Sequence, residues 1–430
     1  SSIMFQLPFF KSSSAPEMAF LAVDLGSESV KAAIFARPKV ESGSDDFLRR
    51  EKKDCLEVLG LGRAGFNSNE VYAGAVIDPE TVSEKTRQAI REAVMACGLS
   101  PKQLIFGLSG EAVKGFTTKV RLNRGEPKKP LGDKEIKSII ENINRAVNRE
   151  VVKEMSSLSA KSPAENNYET IYSEMEEVTV DNYKINNPVG CTGEVVEASL
   201  FTAVSPRNYF ENFNRLAKSV KISDYKSLPA LYPLVKFLYA DGRGEMNFLI
   251  IDIGGQITDL ALVFGGSLIS SRTINLGGYL FTRSIAETLG ISPETAAEKK
   301  SLYAAGKLGE EEKQKISEIV RLTAKLWCSG IEAALLDFSE VRSFPDRIFI
   351  VGGGSALSEI AGGLADHPWP RSIAFAAAPK IKQLGPEILE ETLVNRTGKS
   401  FSPSDLLPLS LGYHFFRLGD KNHVRNIFKL

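Results

Sequence analysis

Phe248-Leu249-Ile250-Ile251-Asp252-Ile253-Gly254-Gly255-Gln256-Ile257-Thr258-Asp259 is the stretch on which the fold turns. An apolar strand, Phe248 to Ile253, breaks at two glycines, and apolar character resumes from Leu260 to Phe264. The same grammar stands near the start of the chain. Ala19 to Val23 runs apolar, Asp24-Leu25-Gly26-Ser27 closes it, and Val30 to Phe35 forms a second strand. Glycine after a buried strand allows close approach and positive φ, so the amides of an Asp-x-Gly turn can point at a phosphate. Two such hairpins predict two similar lobes facing one another, an internal duplication.

A third signal, Ile348-Phe349-Ile350-Val351-Gly352-Gly353-Gly354-Ser355, leads into a helix, where small residues let the backbone pass under a planar base and ribose. Any one of these turns alone is more often structural. The order hairpin, hairpin, glycine-helix is far more specific. Between the hairpins a triphosphate would be gripped by amides and hydroxyls, with Asp24 and Asp252 holding a hydrated Mg²⁺ through water. The candidate ATP and Mg²⁺ residues are Asp24, Gly26, Ser27, Glu28, Ser29 and Lys31 on the first turn, and Asp252, Gly254, Gly255, Gln256, Thr258 and Asp259 on the second. Gly352, Gly353, Gly354 and Ser355 complete the set.

At 430 residues the chain exceeds the size of a single hydrophobic core, and 43% hydrophobic with 25% charged residues is an ordinary globular composition. Lys plus Arg equal Asp plus Glu at 53 each, so no whole-molecule field draws it to nucleic acid. Cys55, Cys97, Cys191 and Cys328 form no CxxC pair, which argues for a reducing compartment and against a zinc site. His367, His414 and His423 have no ligand spacing. No apolar run reaches the ~20 residues of a membrane-spanning helix.

Along the chain, Ser1 to Pro16 reads as a flexible leader with a small apolar cluster, and residues 41 to 54 as a loop. Leu56 to Gly62 is a strand, Asp78-Pro79 opens a helix ending near Cys97-Gly98, and Gln103 to Leu108 is a further strand. After Ser109-Gly110 the pattern changes to two helices among short strands, read as an inserted subdomain. Within it, residues 156 to 167 read as mobile and Tyr168 to Tyr183 as an edge or hairpin strand. Arg121, Arg124, Lys128 and Lys129 read as a solvated basic loop. Ile316, Ile319, Val320, Ala324, Leu326, Trp327, Ile331 and Leu335 are spaced as one buried helical face.

The order of the three turns resembles that of the actin, sugar-kinase and heat-shock-chaperone ATPase superfamily over roughly residues 19 to 413. Leu409-Ser410-Leu411-Gly412 is similar to its second connecting helix. Placement of the insertion after Ser109-Gly110, with Asn187-Pro188-Val189-Gly190-Cys191-Thr192-Gly193 and the Val195 to Val204 strand, resembles the bacterial cell-division protein FtsA and its relative PilM. The resemblance implies an α/β, actin-like (ribonuclease H-like, duplicated) two-lobe fold with an α+β insertion of the FtsA 1C type. It divides the chain into a leader (1–16), subdomain 1A (17–110 and 224–245), inserted subdomain 1C (111–223), 2A (246–285 and 341–418), 2B (286–340) and a tail (419–430).

It further implies an ATP- and Mg²⁺-binding protein that forms filaments at the inner face of the cytoplasmic membrane, binds the FtsZ C-terminal peptide and meets other divisome proteins. The family's ribose-contacting Glu-x-x-Lys falls, with imperfect spacing, on Glu298 and Lys300. Ser227-Leu228-Pro229-Ala230-Leu231 brings no acid or amide to orient a water, so at most weak ATPase activity is expected and no catalytic residue is assigned. The basic, apolar end His423 to Leu430 and the Phe-rich leader are the two candidate membrane anchors. A PilM-like pilus-assembly platform and a small-molecule kinase of the same superfold are the alternatives.

Overall fold

The computed structural model describes residues 19–38, 55–67, 70–156, 168–185, 187–242, 246–339, 341–370 and 372–420. The leader, the loop at 41–54, the segment at 157–167 and the tail after 420 lie outside the described residues.

The chain opens with a meander, β1 (Ala19–Leu25), β2 (Ser29–Ala36) and β3 (Leu56–Gly65). A short hairpin, β4 (Val71–Tyr72) and β5 (Ala75–Val76), precedes helix α1 (Pro79–Cys97). The Asp78 carboxylate accepts from the amides of Glu80 and Thr81 to cap α1, and Gly98 ends it at φ 69°. β6 (Gln103–Leu108) returns parallel to β1.

Next come β7 (Lys114–Asn123), α2 (Asp133–Ser156), β8 (Tyr168–Val180), β9 (Tyr183–Lys184), β10 (Val195–Pro206) and α3 (Arg207–Ser219). They form a separate sheet in the order β7-β10-β8-β9, with α2 packed on one face over Ile136, Ile139 and Ile143. Its three main strands run to 10, 13 and 12 residues, so the expectation of short strands is corrected. Tyr168 to Tyr183 folds back at Asp181-Asn182, whose φ values of 49° and 67° belong to a tight turn matched to strand twist.

The chain then rejoins the first sheet through β11 (Asp224–Pro229), parallel to β6, and crosses over on α4 (Leu231–Lys236). The second half repeats the first: meander β12 (Phe248–Ile253), β13 (Thr258–Phe264), β14 (Ser267–Ile274), then helices α5 (Gly278–Leu289), α6 (Pro293–Ala304) and α7 (Glu310–Leu336). β15 (Arg347–Val351), α8 (Ser358–Ala365), β16 (Lys380–Gln383), β17 (Leu393–Asn395) and α9 (Leu406–Asp420) complete it. Sheet order is β11-β6-β1-β2-β3-β17 in one half and β14-β13-β12-β15-β16 in the other. Setting aside the added edge strand β17, the two are the same topology, which is the duplicated actin-like α/β fold.

One core lies between the two sheets, joining Phe20, Ala22, Phe248 and Ile250 to α4 and α9. The outer face of each sheet packs its own helices. On α7, Ile316, Val320, Ala324, Trp327, Ile331 and Leu335 are buried, but Leu326 is 60% exposed, a correction to the single-face reading. Leu326 precedes Trp327 by one ~100° step, which carries it off a stripe already filled by the indole. Arg124 is a second correction. Its guanidinium is wholly buried, paired with Glu135 at 2.9 Å and donating to the carbonyls of Lys129 at 2.7 Å and Gly193 at 3.1 Å. It pins the start of the inserted sheet instead of facing solvent.

Candidate functional site

Asp24 and Asp252 are each the penultimate residue of the first strand in their half. Side chains alternate faces along a strand, and Phe20, Ala22, Phe248 and Ile250 belong to the core between the sheets. The same parity turns both carboxylates toward the opposite half. They line a cleft of about 500 Å³ together with Gly26, Ser27, Glu28, Ser29, Lys31, Gly254, Gly255, Asp259, Lys300 and Gly352 to Gly354.

The two turns touch. The Gln256 amide donates to Ser27 Oγ at 3.0 Å, and a Cβ on Gly255 would fall 2.3 Å from Glu28 Cβ, so only glycine fits there. Gly352 adopts φ 84°, and a Cβ on it would fall 2.2 Å from Asp252 Oδ1. The third turn therefore abuts the carboxylate of the second.

Four candidates do not line the cleft. Gln256 sends its side chain away, Nε2 donating to the Val71 carbonyl at 3.1 Å and Oε1 accepting from the Ala73 amide at 3.3 Å. Thr258 is buried, donating to the Leu276 carbonyl at 2.6 Å and accepting from the Trp327 indole at 3.2 Å. Ser355 donates to the Gly352 carbonyl at 2.7 Å, holding its own turn. Glu298 is exposed on α6, one step off the face that Ala297, Lys300, Ser301 and Ala304 present to the cleft at helical spacing.

Charge in the cleft is dominated by buried acids. Lys31 Nζ holds Asp24 Oδ2 at 2.8 Å, while Asp24 Oδ1 is buried with no hydrogen-bond partner among the described residues. Burial, then the neighbouring charges of Asp259 and Asp24, push the Asp252 carboxyl up to about 7, against the pull of Lys31. Burial likewise raises Asp259 to about 6, opposed by the Thr273 hydroxyl, the Lys114 charge and the Gly110 amide. Burial also lowers the Lys300 ammonium below its ordinary range, against the Glu28 charge. Its Nζ donates to the Gly278 carbonyl at 2.8 Å.

An orphaned carboxylate oxygen beside a carboxyl resisting ionisation fits a cation, which would satisfy the first and relieve the second. Among the described residues no three His, Cys, Asp or Glu cluster tightly enough to ligate an ion directly, so the pair suits a hydrated ion. Glycine amides on both sides and hydroxyls of Ser27 and Ser29 suit phosphate oxygens.

Sequence reasoning missed Arg63, Ser109, Ser301 and Ser404, which also line the cleft. Arg63 stands opposite Lys31 in the β2–β3 register, a signal readable only once strand pairing is known. Among the described residues no residue of α4 lines the cleft.

The family model of cell division protein FtsA matches residues 249–398. Cell division protein FtsA of Streptococcus pneumoniae is 22% identical over 362 residues, covering 80% of this chain and 72% of that protein. FtsA of Bacillus subtilis is 24% identical over 337 residues, covering 75% and 71%. Among solved structures, the PilM-PilN type IV pilus biogenesis complex superposes with a TM-score of 0.58 at 16% identity, covering 91% of this chain and 96% of that one.

Proposed function

We propose that the chain is an FtsA-like member of the actin-like ATPase superfamily, that it binds Mg-ATP between the two glycine turns and that it works as a polymerising, membrane-peripheral anchor for FtsZ. The observation that carries the nucleotide reading is the Asp24–Asp252 pair, two carboxylates at equivalent strand ends with one buried oxygen unpartnered. In this reading Asp24 and Asp252 hold the hydrated ion, the turns at Gly26 to Ser29 and Gly254 to Gly255 hold the phosphates, and Lys300 with Gly352 to Gly354 flanks the nucleoside.

Slow turnover is part of the proposal. Asp259 is buried in the cleft, yet it already accepts from the Thr273 hydroxyl and the Gly110 amide, which leaves fewer of its lone pairs free to orient a water. ATP then serves assembly more than hydrolysis. Filaments along the inner membrane face, contact with other divisome proteins and a 1A/1C/2A/2B division at the boundaries given above are parts of the same proposal. No helix among the described residues is long and apolar enough to cross a membrane.

For the FtsZ C-terminal peptide we infer a groove of about 500 Å³ between α5 and α7, lined by Leu289, Ile319, Leu322 and Leu326. It lies inside the stretch matched by the FtsA family model, and Leu322 and Leu326 are 55% and 60% exposed.

Thermal unfolding with and without Mg-ATP tests the nucleotide reading, since a ligand of the folded state must raise the midpoint. A shift abolished by Asp24→Ala and by Asp252→Ala, with negligible phosphate release, is expected. No shift up to millimolar Mg-ATP would leave the turns structural and favour a PilM-like platform. A shift with rapid phosphate transfer to a small molecule would favour the kinase alternative.

A further inference from the structure

Arg63 lies on a ladder that the sequence motifs do not mark. Asp24 pairs with Lys31 across β1–β2, and Lys31 pairs with Arg63 across β2–β3, so the three side chains form one row facing the cleft. Lys31 is committed to Asp24 and Lys300 to the Gly278 carbonyl, each at 2.8 Å. Asp24, Glu28, Asp252 and Asp259 outnumber them among the lining charges. A polyphosphate that enters this cleft needs a further cation.

Only one nitrogen of the Arg63 guanidinium is engaged among the described residues. Nη2 donates to Ser404 Oγ at 2.5 Å, to Asp405 Oδ1 at 3.0 Å and to Ser402 Oγ at 3.5 Å. Those residues form the turn that opens α9, and Asp405 also accepts from the Ser402 amide at 2.7 Å. Among the described residues Nε and Nη1 have no hydrogen bond, and the side chain is 47% exposed. Ser404 in turn sits beside the third glycine turn: a Cβ on Gly353 would be 3.7 Å from Ser404 Cβ. A guanidinium held through Nη2 keeps N–H donors on Nε and on Nη1, which lie on different sides of the group, and each can take a separate phosphate oxygen.

We propose that Arg63 binds the phosphate chain of the nucleotide through the separate N–H donors of Nε and Nη1 while Nη2 stays on Ser404 and Asp405. This rests on the nucleotide reading above. It ties phosphate occupancy to the turn from which α9 starts, a link that Lys31 does not make.

The test is equilibrium titration of the full chain with fluorescent ATP, ADP and adenosine, using Arg63→Ala, Arg63→Lys and Asp24→Ala. Arg63→Ala is expected to weaken ATP and ADP by about tenfold or more and to leave adenosine unchanged, with Arg63→Lys between because an ammonium keeps the charge but offers a single donor nitrogen. Circular-dichroism melting checks folding; should the alanine variant not fold, Arg63→Lys still carries the comparison. ATP affinity within about twofold of wild type in Arg63→Ala, alongside loss in Asp24→Ala, overturns the assignment and leaves the nucleotide reading standing. Equal weakening of ATP and adenosine also overturns it, marking Arg63 as a prop of the α9 turn. Failure of the unaltered chain to bind any nucleotide overturns both.

Discussion

His414 Nε2 lies 3.3 Å from Glu174 Oε2, and both side chains are more than nine-tenths buried. The pair joins α9, which packs on the first sheet, to β8 of the inserted sheet. Tyr172 adds a hydroxyl donor to the same carboxylate at 2.8 Å, and Lys236 binds the neighbouring Glu176 at 3.1 Å. The insertion is thus keyed into the body of the molecule by buried charge as well as by the stacked rings of Phe201 and Tyr232, whose centroids are 3.7 Å apart.

This pair makes a pH prediction. Burial alone would raise the Glu174 carboxyl, but the hydrogen bond and charge of His414, then Tyr172 and Lys236, outweigh it and hold it at about 2. The folded value is depressed from the ordinary 4.5, so the stabilisation linked to the Glu174 carboxylate is present above pH 4.5 and is lost as pH falls toward 2. Removing His414 leaves a buried carboxylate poorly compensated. His414→Ala is expected to cost on the order of 3 kcal/mol at pH 7, and the gap to wild type should narrow by pH 3 as Glu174 takes up a proton in the variant. Urea unfolding at both pH values measures it; an equal gap at both would show that His414 acts by packing alone.

Gln256 gives the second prediction. Its side chain bridges from the second glycine turn to Val71 and Ala73 of the β4–β5 hairpin, while Tyr209 donates to the Gly74 carbonyl at 2.7 Å. Gln256→Ala removes the first bridge and keeps the backbone bond to Ser27. Global stability should fall by about 1–2 kcal/mol, and amides at 71–77 should exchange faster in hydrogen-exchange mass spectrometry, with ATP affinity within about threefold of wild type. A large loss of affinity with unchanged exchange would return Gln256 to the ligand.

Much of this was legible because the decisive turns interrupt apolar strands with residues that such strands exclude. Asp24 and Asp252 are the polar members of buried runs, and strand parity alone turns them the same way. What the sequence could not yield depended on contacts between distant segments. Arg63 meets Ser404 across 341 positions, and nothing in either neighbourhood announces the other. The turn position of Gln256 told where its backbone lies but not where its amide points. Helical spacing gave the face of α7 but not its buried width, which is how Leu326 was misplaced. Arg124 read as solvated because the carbonyls that surround it come from residues 127, 129 and 193.

Two glycines give opposite expectations. Gly352 has φ 84° with no room for a Cβ beside Asp252, so Gly352→Ala strains the backbone and displaces a cleft carboxylate. A loss of more than about 3 kcal/mol together with loss of the Mg-ATP shift is expected. Gly362, inside α8, would meet nothing within 4 Å, so Gly362→Ala should gain about 0.5–1 kcal/mol from helix propensity and a less flexible unfolded chain. Paired thermal melts decide both.

The groove between α5 and α7 supplies the last prediction. Leu322 and Leu326 lie four residues apart on one helix and so stand side by side on its surface. More than half exposed, they add little to the core, and Leu322→Asp with Leu326→Asp should change stability by no more than about 1 kcal/mol. A short peptide that buries both leucines would lose its apolar anchors and meet carboxylates in their place, so affinity for an FtsZ C-terminal peptide should drop by about tenfold or more. Lys315 borders the groove but also pairs with Glu311 at 2.8 Å, so Lys315→Ala should weaken binding less, and only at low salt. Fluorescence anisotropy with a labelled peptide separates these cases. Undiminished binding by the double variant would move the peptide off this face and leave the exposed leucines for another partner, while the Arg63 and Asp24 titrations would be unaffected by that outcome.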